Sequence, residues 1–222
     1  MSDWSQVVDG PIVHVYLGEL NRQTRICIGA CRRVLELGNR ILVGPNFSGE
    51  DADELRGQAE LAVSCAASLR NLVMDRDSRR GKSELKQLGT ERIAWLQQLV
   101  GDLELPIISH VTPRHHLQHY DERLDELALE SLRRPEQEPT PMGIVDAVLK
   151  HRNSWGTHQA PHFYLRTYIA AENTFIVMND KVNILELLQE ARTLLERIRP
   201  HVALHTTMMK SSGGFPMAGL PL

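Results

Sequence analysis

The sequence predicts a mainly α-helical protein: an antiparallel four-helix bundle over residues 11–133, with a β-hairpin and a closing helix over 162–206 docked onto it. Three observations carry that expectation. Apolar residues recur at spacings of three, four and seven through four long stretches ahead of residue 133. Two β-rich runs, 163–169 and 174–178, flank the turn-forming tetrapeptide Ala170-Ala171-Glu172-Asn173. One further periodic stretch, 183–199, follows them with Leu185, Leu188, Ala191, Leu195 and Ile198 apolar.

The first helix is expected over 11–37, where Val13, Leu17, Leu20, Cys27, Cys31 and Val34 share a face and Gly38 supplies a stop. Gly44-Pro45-Asn46 marks a turn. The second helix then begins near Ser48 or Asp51. It aligns Leu55, Ala59, Ala62, Cys65, Ala66, Leu69 and Val73, and it ends in the charged stretch 75–82. A third covers 83–99, with Gly89 as a point where it can split in two, and 103–111 reads as extended or irregular. Thr112 as N-cap and Pro113 in the first turn open a fourth helix that runs to about 132.

Composition then shifts. Three prolines within 135–141 mark a linker, and a short helix is expected over 143–150. The predicted organisation is a helical bundle over 1–134, a Pro-rich linker and short helix over 135–161, the hairpin and docked helix over 162–206, and a flexible tail over 207–222.

The chain has 222 residues, 42% hydrophobic and 24% charged, enough for a sizeable core. Its 25 Lys and Arg against 28 Asp and Glu leave a net charge of −3, which argues against a wholly basic nucleic-acid scaffold while leaving room for a local basic site. Aromatics at 5% argue against a base-stacking platform. The start MSDWSQVVDG lacks a basic segment followed by an apolar run, and no stretch approaches ~18 apolar residues, so a cytoplasmic protein with no membrane span is expected. Cys27, Cys31 and Cys65, odd in number and in apolar settings, read as reduced core thiols.

Chemistry concentrates at 114–126, Arg-His-His-Leu-Gln-His-Tyr-Asp-Glu-Arg-Leu-Asp-Glu. His115, His119 and Glu122 would line one helical face, an arrangement able to hold a divalent ion. No second helix offers the Glu-x-x-His partner of a di-metal bundle, so neither metal nor other cofactor is expected. The cluster Arg70, Arg76, Arg79, Arg80 and Lys82, diluted by Asp75 and Asp77, reads as a solvated helix end. No phosphate-binding glycine loop, nucleophile elbow or His-Glu-x-x-His motif is present.

Within that segment Arg114 is followed by a polar residue, His115, and then by His119 after four intervening positions. This resembles the HEPN superfamily, whose ribonuclease members carry Arg, a polar residue and a His four to six positions on. The longer string Arg114 to Glu126, with His-Tyr-Asp-Glu-Arg-Leu-Asp in it, and the later Leu165-Arg166-Thr167-Tyr168, ahead of a hairpin and closing helix, also look like a HEPN-related group of helical proteins. The resemblance implies a HEPN-like bundle, a homodimer that pairs two sites, and a metal-independent RNA endonuclease or RNA-directed effector. In that reading Arg114 holds the phosphate and His119 acts as general acid or base, with His115, His116, Tyr120 and Asp121 in support. Arg152 and His158 satisfy the same spacing and are the second choice, as do Arg199 and His205. The alternative is a non-catalytic helical module that dimerises or engages a partner protein through the same helix.

Overall fold

A computed structural model of the chain describes residues 11–44, 47–74, 83–101, 103–110, 117, 119–133, 143–155 and 162–211. Its helices are α1 (Pro11–Val43), α2 (Gly49–Val73), α3 (Ser83–Val100), the single turn α4 (Pro106–Ser109), α5 (Tyr120–Arg133) and α6 (Ile184–Ser211). Between α5 and α6 lie β1 (Gly143–Val145), β2 (Val148–Leu149), β3 (His162–Tyr164), β4 (Arg166–Ile169), β5 (Thr174–Val177) and β6 (Asp180–Asn183). The mainly helical expectation holds.

Helix α1 is the axis of the molecule. Its heptad-spaced apolar residues Leu20, Cys27 and Val34 are fully buried, and it packs along α2 on one side and α6 on another. Two bidentate clamps fix α1 against α2: Arg33 donates to Glu54 at 2.6 and 2.7 Å, and Arg40 to Asp51 at 2.8 and 2.9 Å. The start of α2 is set locally. The Ser48 hydroxyl accepts the Asp51 N–H, and the Asp51 carboxylate accepts the Ser48 N–H, a reciprocal capping box. Cys27, Cys31 and Cys65 are unpaired and buried, as expected, and burial raises the Cys65 thiol to about 11.

Helix α1 does not stop at Gly38 but continues to Val43. The glycine serves tertiary packing instead: a Cβ at Gly38 would meet the Tyr168 hydroxyl at 2.8 Å, so the missing side chain admits the ring against α1. Helix α3 likewise runs unbroken through Gly89, which is buried within it. In 103–111, expected to be irregular, Pro106 opens the turn α4. That turn is held by α6, whose Glu190 carboxylate accepts the Ile107 and Ile108 N–H groups at 2.7 and 2.9 Å.

The short helix expected over 143–150 is not formed. Those residues make β1 and β2, which pair in parallel with β3 and β4. An isolated helical turn is marginal, whereas strand pairing gives these backbone groups partners and buries Val145 and Leu149. The predicted hairpin is present as antiparallel β4 and β5, turning through a 3-10 segment at Ala170–Glu172 with Asn173 at φ 50°. It belongs to a larger four-stranded sheet, β2-β4-β5-β6, with β6 unforeseen. Tyr168, Phe175 and Val182 lie in one cross-strand row and join the helical core; Ile169 and Ile176 join Val145, Leu149 and Tyr164 in a second cluster.

The closing helix begins as predicted. Asn183 caps it by accepting the Leu185 and Glu186 N–H groups. It passes Arg199 and Pro200 and reaches Ser211, so 207–211, expected in a flexible tail, are helical. Rather than docking outside a finished bundle, α6 buries Leu187, Ala191, Leu194 and Ile198 in the same core as α1 and α2. The charged stretch 75–82, the linker prolines and the tail beyond Ser211 lie outside the described residues.

Candidate functional site

Of the residues singled out from the sequence, Arg114, His115, His116 and His158 lie outside the described residues. His119, Tyr120 and Asp121 are described, at the start of α5. His119 places Nδ1 3.2 Å from the Glu122 carboxylate, one turn on, with both side chains substantially exposed. A carboxylate on one ring nitrogen fixes the orientation of an imidazole. Asp121, exposed in the first turn, sits where the helix macrodipole stabilises negative charge.

Tyr120 anchors this end of α5. Its ring is half-buried against the core, and the Arg166 guanidinium from β4 stands 4.6 Å from its centroid. Arg166 in turn donates to Asp146 at 3.1 Å and lies 3.7 Å from the Glu60 carboxylate of α2. Arg56, one turn before Glu60, lies 3.7 Å from the other Asp146 oxygen. Burial pushes the Glu60 carboxyl and the Tyr120 phenol above their ordinary values, against the opposing pull of Arg166 on both. The Arg166 Nε is buried and has no hydrogen-bond partner among the described residues. Three segments far apart in the chain thus share one charged cluster: α2, the loop between β1 and β2, and β4.

Within the string 114–126, the described residue Tyr120 meets Arg166 of the segment 165–168. The second-choice arginine is engaged elsewhere. Arg152 donates Nε and Nη2 to the two Glu172 carboxylate oxygens and lies 5.8 Å from the Tyr164 ring centroid. It ties its own 3-10 turn to the turn between β4 and β5, a structural clamp. Arg199 of the third pair lines a groove between α1 and α6, while the His205 side chain lies outside what is described.

Sequence reasoning missed Asp146, Glu60 and Arg56, which tertiary packing gathers into one cluster with Arg166: Asp146 lies beside both arginines and Glu60 beside Arg166. It also missed the groove containing Arg199, for which a signal existed: Arg25 with Arg32, and Arg192 with Arg199, are each two helical turns apart. Among the described residues no group of three or more His, Cys, Asp or Glu is placed to hold a metal ion, and no helix is long and apolar enough to cross a membrane.

No protein family model, curated protein or solved structure matches the chain.

Proposed function

We propose that the chain is a HEPN-like four-helix protein of the cytoplasm that cleaves RNA without a metal, as a homodimer bringing two Arg114–His119 pairs together. The observation that carries this reading is the His119–Glu122 pair at the start of α5. A carboxylate-oriented imidazole at an exposed helix start is suited to proton transfer. In this reading His119 removes the proton from the ribose 2′-OH or delivers one to the leaving oxygen. Arg114, five positions earlier, holds the phosphate oxygens in its planar fork. Arg114 and His119 are about 140° apart around a straight helix, which is why a second protomer belongs to the proposal. The anchoring of Tyr120 by Arg166 supports it further, because a proton-transfer group works from a fixed platform.

Purified protein incubated with total RNA, with and without chelator, tests the proposal. Cleavage that survives chelation, falls ~10²–10⁴-fold in His119→Ala and is impaired in Arg114→Lys is expected. Arg152→Ala serves as the control with cleavage retained. Absence of cleavage by the parent protein, or cleavage that a chelator abolishes, overturns it.

A second reading, a non-catalytic module for dimerisation or a partner protein, is favoured by the outer surface of α5. There Leu124, Ala128 and Leu129 are exposed rather than packed. For that reading, Leu124→Ser with Leu129→Ser converts a dimer to a monomer in sedimentation while RNA is never cut.

A further inference from the structure

Four arginines gather away from α5, in an open groove of about 700 Å³ between α1 and α6. Arg25 and Arg32 come from α1, and Arg192 and Arg199 from α6. Each pair spans seven residues, two helical turns or about 10 Å, so both helices present arginines to the same groove at the same interval. All four are exposed, and Glu196 is the single acid in the lining among the described residues. Ile28 and Leu195 form an apolar floor, and nothing lies within 4 Å of where a Gly29 side chain would begin, which keeps the floor between Arg25 and Arg32 clear.

Comparison within α1 isolates what is unusual. Arg33 and Arg40, also seven residues apart, face α2 and are neutralised by Glu54 and Asp51. Across the groove no such acids answer. Among the described residues Arg32, Arg192 and Arg199 have no ion-pair partner, and Arg25 is held only by the Asn21 side chain at 3.2 Å. Cations gathered in a concave, partly apolar site on a chain of net charge −3 focus a positive potential that an anion can satisfy.

We propose that this groove seats the backbone of a single-stranded nucleic acid, one phosphate near each end of the arginine array. A single phosphate is too small to reach arginines about 10 Å apart, whereas that interval is roughly three steps of a stacked strand at ~3.4 Å per step. Guanidinium forks grip phosphate oxygens in pairs, and the apolar floor accepts sugar and base faces. A flat membrane surface would not reach Ile28 and Leu195 at the bottom of a groove between two helices. Among the described residues the lining holds no aromatic ring, so recognition is of the backbone and is indifferent to base sequence. The site does not depend on whether His119 cuts RNA; it is a holding surface on other helices.

Fluorescence anisotropy with a labelled twelve-nucleotide oligouridylate, and with its deoxy counterpart, tests the proposal between ~50 and ~200 mM salt. The parent protein is expected to bind both strands, with affinity falling steeply as salt rises. Arg32→Ala with Arg192→Ala should weaken binding at least about tenfold at low salt and reduce the salt slope by roughly 1.4, about 0.7 for each phosphate no longer neutralised. Glu196→Gln should tighten binding, a gain that no unfolded variant can imitate, and Arg40→Ala outside the groove should change little. Failure of the parent to bind, an unchanged salt slope in the double variant, or equal losses in Arg40→Ala overturn the proposal. Displacement of the strand by inorganic pyrophosphate at matching concentration overturns it in favour of a small-anion site, and displacement by an equally charged acidic peptide does so in favour of a protein partner. Cleavage is read separately: strand binding without cleavage refutes only the His119 reading, and cleavage without groove-dependent binding refutes only this one.

Discussion

The Arg166 guanidinium stands 4.6 Å from the centroid of the Tyr120 ring, so a residue of β4 holds the first turn of the helix that carries His119. Arg166→Met alone also removes the cation beside Glu60 and one of the two beside Asp146, so the pair is best isolated by a double-mutant cycle with Tyr120→Leu. Urea unfolding should return a coupling of about 0.5–2 kcal/mol. Amide exchange across 120–133 should accelerate in each single variant. A coupling near zero would mean that α5 is seated by other interactions.

Gly38 and Tyr168 make the second prediction. A Cβ at Gly38 would stand 2.8 Å from the Tyr168 hydroxyl and 2.9 Å from Cε1, and that ring is fully buried. Gly38→Ala should therefore lose about 1–3 kcal/mol, as overpacked cores do. Gly18→Ala, on the same helix with nothing within 4 Å, should gain roughly 0.5–1 kcal/mol. Thermal melts of the two variants should shift in opposite directions; equal shifts would sink the packing argument.

Glu172 sets a pH dependence. Its bidentate hydrogen bonds from Arg152 hold its carboxyl below the ordinary value, against a smaller opposing effect of burial. The folded state therefore binds this proton more weakly than the unfolded state. The stability contributed is present above the unfolded carboxyl range near ~4.3 and is lost as pH falls through the lower folded value. Urea midpoints of the parent and Glu172→Gln should differ at neutral pH and converge as the solution is acidified below about 4. A difference that widens on acidification would contradict the assignment.

Glu190 is the fourth test. Its carboxylate accepts two backbone N–H groups of α4, from half-buried Ile107 and buried Ile108. Glu190→Ala leaves both donors without an acceptor, at about 1–3 kcal/mol for each buried group so stranded. Glu190→Gln keeps one acceptor oxygen and should cost less. Amide exchange at Ile107 and Ile108 is the direct measurement, and protection retained in Glu190→Ala would show that another acceptor takes over.

The amino-acid sequence by itself determined the elements whose cause is local. Heptad apolar spacing places α1, α2 and α6, the Ser48–Asp51 capping box starts α2, and Asn183 starts α6. The turn at Ala170–Glu172 is local as well, since a few neighbouring residues suffice to form it. What only the tertiary structure decided are features whose partners lie far away in the chain. Gly38 looks like a helix stop until the Tyr168 ring fills the space beside it. Residues 143–149 become strands because β3 and β4 offer parallel edges to them, and no short-range pattern announces that. His119 was legible as a chemical residue, but its platform was not, because Tyr120 and Arg166 are brought together only when β4 packs beside α5. The arginine groove follows the same logic. Two heptad pairs can be read on two helices, but whether they face acids, solvent or each other depends on how α1 and α6 pack. Helix packing is set by the burial of Leu20, Cys27, Ala191 and Ile198, not by the arginines themselves.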